Sequence, residues 1–448
     1  MKIRQWFEKA KPLTPGLYIG AVQVDGAAHR VHLRINPGGG GVVTLDASRV
    51  LHVNATAAEI VKLLLEGRSE EEAASLMAKR YRRGRSAIQK DVERVHGMIR
   101  SLSATDQLCP VTDLGLDLLE PYSVALTAPM RMDLAVTYRC QNRCSHCYNE
   151  PSRASEEMDT ASWRKALDVC LAAGIPHVVF TGGEPTLRSD LTDLVIYAEE
   201  LGLVTGLNTN GRRLADGEYA RRLREAGLDH VQITLESADP RLHNALTASD
   251  SFDETLAGLR AAKASGLYAL TNTTLTRVNA PGIEALVDLV AAEGLPAFAV
   301  NGMIYSGKGT ASGLDLTPRE VAPMLDRLAA LARERGIRFI WYTPTRYCEL
   351  NPVEQALGVK QCTAARISMA VEPDGTVIPC QSYYEGVGHI LRDPWEVIWN
   401  HPLCRKLRVP QRPLAECEAC EHLSLCGGGC PLENENRKLH CREAASGS

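Results

Sequence analysis

"YRCQNRCSHCYNE" (residues 138–150) places Cys140, Cys144 and Cys147 within eight positions. A disulfide takes two thiols, and a tetrahedral zinc site takes four ligands. Three thiolates suit a [4Fe–4S] cluster with one iron left open, and an open iron binds a small molecule. The competing reading is a zinc knuckle with His146 as the fourth ligand. What precedes and follows this loop bears on the choice.

Immediately before it, "MDLAVTY" (132–138) reads as a buried strand, and similar runs recur downstream. They are "HVVFTG" (177–182), "VTGLNTN" (204–210), "HVQITL" (230–235), "YALTNTTL" (268–275) and "AFAVNGMI" (297–304). Amphipathic helical patterns such as "TASWRKALDVCLAAG" (160–174) fill the intervals. Alternating strands and helices predict an α/β fold, here six parallel strands in an open or partial barrel. Chemistry in such folds sits at the C-terminal strand ends, and the cysteine loop follows strand one at such an end.

Further short stretches sit at successive strand ends. "TGGEPTL" (181–187) follows strand two, "NTNG" (208–211) ends strand three, and "ITLESADPRLH" (233–243) covers strand four. With the cysteine loop, these resemble the radical S-adenosylmethionine (SAM) superfamily over residues 130–310. The resemblance implies a partial (β/α)6 TIM-like barrel and a cluster on Cys140, Cys144 and Cys147 whose free iron chelates SAM. It implies that Gly182 and Gly183 let the backbone approach SAM and that Glu184 accepts from the SAM ammonium. Asn210 and Thr234 join the SAM-binding set, Thr234 at a position usually held by Ser. One departure stands out. Relatives often carry an Arg four residues after the position of His243, and here that residue is Thr247.

Of fourteen cysteines, only Cys109 precedes residue 140, and nine lie between 348 and 441. The C-terminal set runs Cys362-x12-Gly375-x4-Cys380, then Cys417-x2-Cys420-x5-Cys426-x3-Cys430, and finally Cys441. "PDGT" (373–376) is a tight turn that returns Cys380 toward Cys362. This pattern resembles the SPASM domains that extend radical SAM peptide-modifying enzymes. The resemblance implies one auxiliary cluster on Cys417, Cys420, Cys426 and Cys441, and another on Cys362, Cys380 and Cys430. Cys348 is the candidate fourth ligand of the latter, against a free cysteine or an open iron. Cys170 lies on the apolar stripe of a helix and reads as buried packing. With Cys404 and Cys109 it stays outside the clusters.

Residues 17–53 read as short strands around the turn "PGGGG" (37–41), followed by three helices. Asn54 or Thr56 caps the first helix, Gly67 stops it, and Ser69 with Glu72 forms a capping box for the second. This winged-helix-like texture resembles the PqqD-like recognition element that binds leader peptides of ribosomally made precursors. The basic run "KRYRRGR" (79–85) suits an acidic leader, although most such charges serve as a solvated helix end.

The bulk numbers set bounds. There are 50 basic and 54 acidic residues in 448, with 45% hydrophobic content, as in an ordinary globular chain. A net charge of −4 makes no general case for nucleic acid or a membrane surface. No signal-peptide h-region and no run of 18 apolar residues is present, so a cytoplasmic location is expected. The expected organisation is 1–107 leader-binding domain, 108–129 linker, 130–310 radical SAM core, 311–340 bridging helical segment and 341–448 cluster domain.

The expected function is radical modification of a ribosomally synthesised precursor peptide, with formation of an intramolecular thioether, C–C or C–O crosslink. Expected cofactors are SAM and three [4Fe–4S] clusters, and the resemblance implies an electron donor such as flavodoxin or ferredoxin. The alternatives are sulfatase-type or haem side-chain maturation, and a non-catalytic cluster scaffold. Sulfatase maturases carry an Asp directly after the Cys of Gly-x4-Cys, where this chain has Gln381. Tyr305, Tyr342, Tyr347 and Gln381 are candidates to line the cavity, and packing explains the tyrosines equally well.

Overall fold

A computed structural model describes residues 13–46, 49–104, 124–149 and 156–436. The chain divides into two compact units, residues 1–127 with 170–176 and residues 128–169 with 177–448. Cys109, Cys441 and most of the expected linker lie outside the described residues. No helix among the described residues is long and apolar enough to cross a membrane.

In the first unit, β1 (Gly16–Val24), β2 (Ala27–Ile35), β3 (Gly41–Leu45) and β4 (Arg49–Val53) form an antiparallel meander in chain order. Three helices follow, α1 (Ala55–Leu65), α2 (Glu70–Tyr81) and α3 (Arg85–Ala104). Asn54, not Thr56, caps α1 by accepting from Ala57 N at 2.9 Å. The Ser69–Glu72 capping box is formed at the head of α2. The core joins the sheet to two helices through Val31, Leu33, Val43, Leu45, Ala58, Val61 and Ile99, all excluded from solvent.

The second unit is built on β5 (Arg131–Thr137), β6 (His177–Gly182), β7 (Val204–Thr209), β8 (His230–Thr234), β9 (Tyr268–Thr274) and β10 (Ala297–Asn301). All six predicted strands are present, and adjacent ones pair in parallel. The intervals hold α4 (Thr160–Ala173), α5 (Leu191–Glu200), α6 (Gly217–Glu225), α7 (Pro240–Thr247), α8 (Phe252–Ala264) and α9 (Ile283–Ala292). Their buried faces follow helical spacing: Leu191, Leu194, Val195 and Ala198 in α5, and Ile283, Leu286, Val287 and Val290 in α9. Each leucine, isoleucine or valine among them contributes roughly 1.5–3 kcal/mol when fully buried.

The sheet is larger than six strands. The expected helical bridge contains α10 (Pro318–Arg335) and then a seventh parallel strand, β11 (Arg338–Trp341), beside β10. Four residues after a long helix are too short for a periodicity signal to stand out. The Cys-rich segment supplies β12 (Ser368–Val371), β13 (Thr376–Ile378) and β14 (Gly388–His389). Strand β12 pairs in parallel with β5, so the final order is β11-β10-β9-β8-β7-β6-β5-β12-β13-β14. The cluster segment thus extends the barrel sheet itself.

Candidate active site

The cysteine loop leaves the end of β5 and is held by other strand-end connections. Arg143 N donates to Thr247 O and Ser145 N to Leu246 O, each at 2.9 Å, which hangs the loop on the C-terminus of α7. Lys308 N donates to Cys147 O at 2.9 Å. His146 Nε2 lies 3.0 Å from Oε1 of the fully buried Glu236, whose Oε2 accepts from Thr274 N at 3.0 Å. Glu236 was within a recognised motif, but its part in clamping the loop to β9 is visible only here.

Cys140 is exposed overall and Cys144 and Cys147 are half-buried, but their thiols are crowded by the surrounding protein and by one another's charge. Burial pushes Cys140 up to about 11 and raises Cys144 and Cys147. Nearby charge adds to the rise at Cys144, from Glu236 and the other two thiolates. Such thiols are poor nucleophiles, and they suit a cation-bearing partner that takes up their charge. His146 Nε2 is committed to Glu236, while its Nδ1 is buried with no hydrogen-bond partner. Among the described residues no three such side chains close around a single metal ion. A cluster spreads its ligands over several irons and does not need that closure.

Gly182, Gly183 and Glu184 lie at the end of β6, Asn210 follows β7, and Thr234 ends β8. The structure therefore brings the expected SAM set to the same sheet edge as the cysteines. It also gives the glycines a packing reason. A Cβ on Gly182, which has φ +131°, would lie 2.1 Å from Thr137 O. One on Gly183 would lie 2.5 Å from both Tyr138 O and Arg139 O. Both glycines are pressed against the start of the cysteine loop, and Gly183 N and Glu184 N donate to Thr137 O and Arg139 O at 2.7 and 2.8 Å.

Glu184 is fully buried and its acceptor capacity is largely taken. Oε1 accepts from Thr186 N (3.1 Å), Thr186 Oγ1 (2.6 Å) and Thr209 Oγ1 (2.7 Å), and Oε2 accepts from Asn210 N (2.7 Å). Its first job is to tie the end of β6 to the end of β7. Burial raises its carboxyl above the usual range, with these hydrogen bonds opposing. By contrast, Asn210 Nδ2 and Gln141 Oε1 are buried with no hydrogen-bond partner. An unsatisfied donor and acceptor beside Cys140 are what a polar ligand at this edge would satisfy.

Thr247 replaces the arginine of relatives with a structural knot. Its Oγ1 donates to His243 O at 2.9 Å, and buried His243 accepts from Glu236 N at Nδ1 and meets Ser251 Oγ at Nε2, both at 3.2 Å. No cation reaches inward from position 247.

The cluster segment meets the loop directly. Tyr148 OH donates to Gln381 Oε1 at 3.2 Å, and Tyr384 OH donates to Asn149 Oδ1 at 2.9 Å. Residues next to Cys147 and Cys380 are thus bonded to each other. Burial raises Cys362, Cys380 and Cys430, the charge of Cys380 adds at Cys362, and those of Cys362 and Cys380 add at Cys430, so the three share one neighbourhood. Cys426 is buried and accepts from Tyr347 N at 3.4 Å. Cys417 is half-buried, while Cys420 and Cys348 are exposed, Cys348 beside the Tyr347 that reaches Cys426. Cys170 and Cys404 are buried. Of the candidate tyrosines, Tyr305 bonds Asp315 and Tyr347 accepts from Lys360 N, whereas Tyr342 remains 46% exposed.

Comparison with known proteins agrees with this layout. Residues 134–290 match the radical SAM superfamily, 362–421 an iron–sulfur cluster-binding domain (SPASM), and 41–101 coenzyme PQQ synthesis protein D. The mycofactocin maturase MftC of Mycobacterium tuberculosis is 29% identical over 323 residues, 70% of this chain and 81% of the relative. The PqqA peptide cyclase of a Methylobacterium species is 30% identical over 331 residues, 68% of this chain and 82% of the relative. In fold, the chain is similar to Streptococcus suis SuiB bound to precursor peptide SuiA, with TM-score 0.66 and 15% identity over 90% of this chain and 94% of that one.

Proposed function

The chain belongs to the radical SAM superfamily, and from that premise we propose that it modifies a ribosomally synthesised precursor peptide by forming an intramolecular crosslink. It is a radical SAM peptide-modifying enzyme that uses SAM and iron–sulfur chemistry. The observation that carries the reading is the convergence of the three-cysteine loop, Glu184 and Asn210 at one sheet edge, in a chain with a PqqD-like module. When bound, SAM and its cluster supply a 5′-deoxyadenosyl radical that takes a hydrogen atom from the substrate.

We assign Cys140, Cys144 and Cys147 as ligands of the SAM-binding cluster. Their mutual proximity, felt as charge, and the loop's anchors on α7 and Lys308 support this. Asn210 and Gln141 offer SAM a free amide donor and a free amide acceptor. Glu184 fixes the Asn210 turn, and Gly183 lets the loop sit close to β6. Two auxiliary clusters complete a set of three, one on Cys362, Cys380 and Cys430 with Cys348 as candidate fourth ligand, the other on Cys417, Cys420, Cys426 and Cys441. A flavodoxin or ferredoxin supplies electrons in the cytoplasm. The PqqD-like module takes the leader. Gln381 offers no carboxylate and holds Tyr148 through its carbonyl, which disfavours the sulfatase-type alternative.

Anaerobic co-expression with the short peptide encoded nearest this protein tests the proposal. Loss of two hydrogens from that peptide, dependent on Cys140, is expected. An unchanged peptide mass with no deuterium uptake from heavy water refutes it for that peptide. Absence of 5′-deoxyadenosine release would return the chain to a scaffold.

A further inference from the structure

Strand β11 ends the ten-stranded sheet and has no strand on its far side among the described residues. Arg338 N donates to Pro296 O at 2.9 Å and Tyr342 N to Val300 O at 3.1 Å. In a parallel pair the intervening residues turn their main-chain groups the other way, so those of Phe339 and Trp341 face the open edge. Side chains alternate across the strand. Phe339 stacks on Phe298 on one face, at 5.1 Å between ring centroids. Arg338, Ile340 and Tyr342 share the opposite face, where Ile340 packs with Leu270, Ala297 and Ala299.

That face carries charge and accessible aromatic surface. Tyr268 and Tyr342 are 47% and 46% exposed, unusual for tyrosines set in a sheet. Tyr342 lies within electrostatic reach of Arg131, Arg338 and Tyr268, and Lys360 within reach of Arg338. Arg131 is held by Asp133, with Nε 3.0 Å from Oδ1. Arg338 and Lys360 have no carboxylate partner among the described residues. Two neighbouring cations kept without an acid, beside tyrosyl hydroxyls and a free strand edge, match an extended peptide that brings its own carboxylate.

We propose that an acidic segment of the substrate peptide adds as a strand to the free edge of β11 and places a carboxylate between Arg338 and Lys360. This rests on the peptide-modifying reading and adds a substrate requirement to it. The carboxylate belongs either to an Asp or Glu side chain or to the peptide C-terminus. Arg338 and Lys360 are binding residues and take no part in hydrogen abstraction.

The test uses the full-length, cluster-loaded protein and the short peptide encoded nearest it, labelled with fluorescein. Its affinity is read by anisotropy and its modification by mass spectrometry. The R338E/K360E variant is expected to raise Kd and KM at least about tenfold with kcat little changed, because charge complementarity acts mainly on binding. Iron content and SAM affinity at wild-type values report that the fold is intact. R338K should recover most of the affinity lost in R338A. Peptides with each Asp and Glu changed to Asn and Gln, or with an amidated C-terminus, distinguish the two carboxylate sources, and weakening by either supports the proposal. Unaltered Kd in the double variant, or in both neutralised peptides, overturns it while leaving the peptide-modifying reading intact. If the wild-type protein neither binds nor modifies the peptide, both are refuted for that peptide.

Discussion

Replacing Gly183 with alanine tests the geometry of the site most directly. The added Cβ would sit 2.5 Å from Tyr138 O and Arg139 O. A retreat of 0.5 Å reaches 3.0 Å, the shortest approach such atoms tolerate, and 0.9 Å gives an ordinary contact at 3.4 Å. The Glu184 N to Arg139 O bond, 2.8 Å long, and the Gly183 N to Thr137 O bond, 2.7 Å, stand in the path of that retreat. Weakening both costs about 1–3 kcal/mol, and the overpacking adds about 1–3 kcal/mol. A total of about 2–6 kcal/mol lowers the melting midpoint by roughly 3–9 °C in a unit of this size. The moved segment begins the Cys140–Cys147 loop, so G183A is expected to lose the iron held there, about a third of the total for the three clusters proposed above. Anaerobic iron analysis, SAM binding and thermal unfolding followed by circular dichroism read these effects. G217A is the control, since nothing lies within 4 Å of its Cβ and it heads α6. A G183A protein with full iron, unchanged SAM affinity and the melting midpoint of the control would refute the close-packing argument.

Changing Cys140, Cys144 and Cys147 together to alanine is expected to abolish SAM cleavage while auxiliary iron remains, as read by 5′-deoxyadenosine release and iron analysis. His230 Nε2 lies 2.9 Å from His177 Nε2, a contact that needs at least one unprotonated ring. Burial, with Arg131 adding, lowers His230 to about 4, so the folded state resists a proton that the unfolded chain accepts near 6.5. Stability is therefore retained above pH 6.5 and lost as pH falls toward 4, and H230Q should flatten that slope in urea unfolding at graded pH. Y148F removes the hydroxyl that bonds Gln381, at a cost of about 1 kcal/mol. A changed line shape in the electron paramagnetic resonance spectrum of the SAM-bound protein would show that the bond also aligns the loop, whereas an identical spectrum would limit it to packing.

Much of this protein is written locally. The six core strands announce themselves as apolar runs punctuated by turns, and the helices by their 3.6-residue spacing, because both signals come from neighbours in sequence. Asn54, Ser69 and Glu72 act within one helical turn, so their capping roles are readable without a fold. The cysteine spacings place candidate ligands by short-range reach in the same way. Tertiary structure decided what depends on groups far apart in the chain. Gly182 and Gly183 also pack against residues 137–139, which only the β5–β6 register brings near. Glu184 spends its acceptors across two strands, and Glu236 clamps His146 from 90 positions away. Strand β11, too short to signal itself, and β12, whose partner precedes it by more than 200 residues, exist as sheet members only because β10 and β5 offer them an edge. The six core strands, the helices between them and the thiol set were legible from local pattern. The fold decided which edges and charges were left open, because strand pairing and burial are properties of contacts that no local pattern encodes.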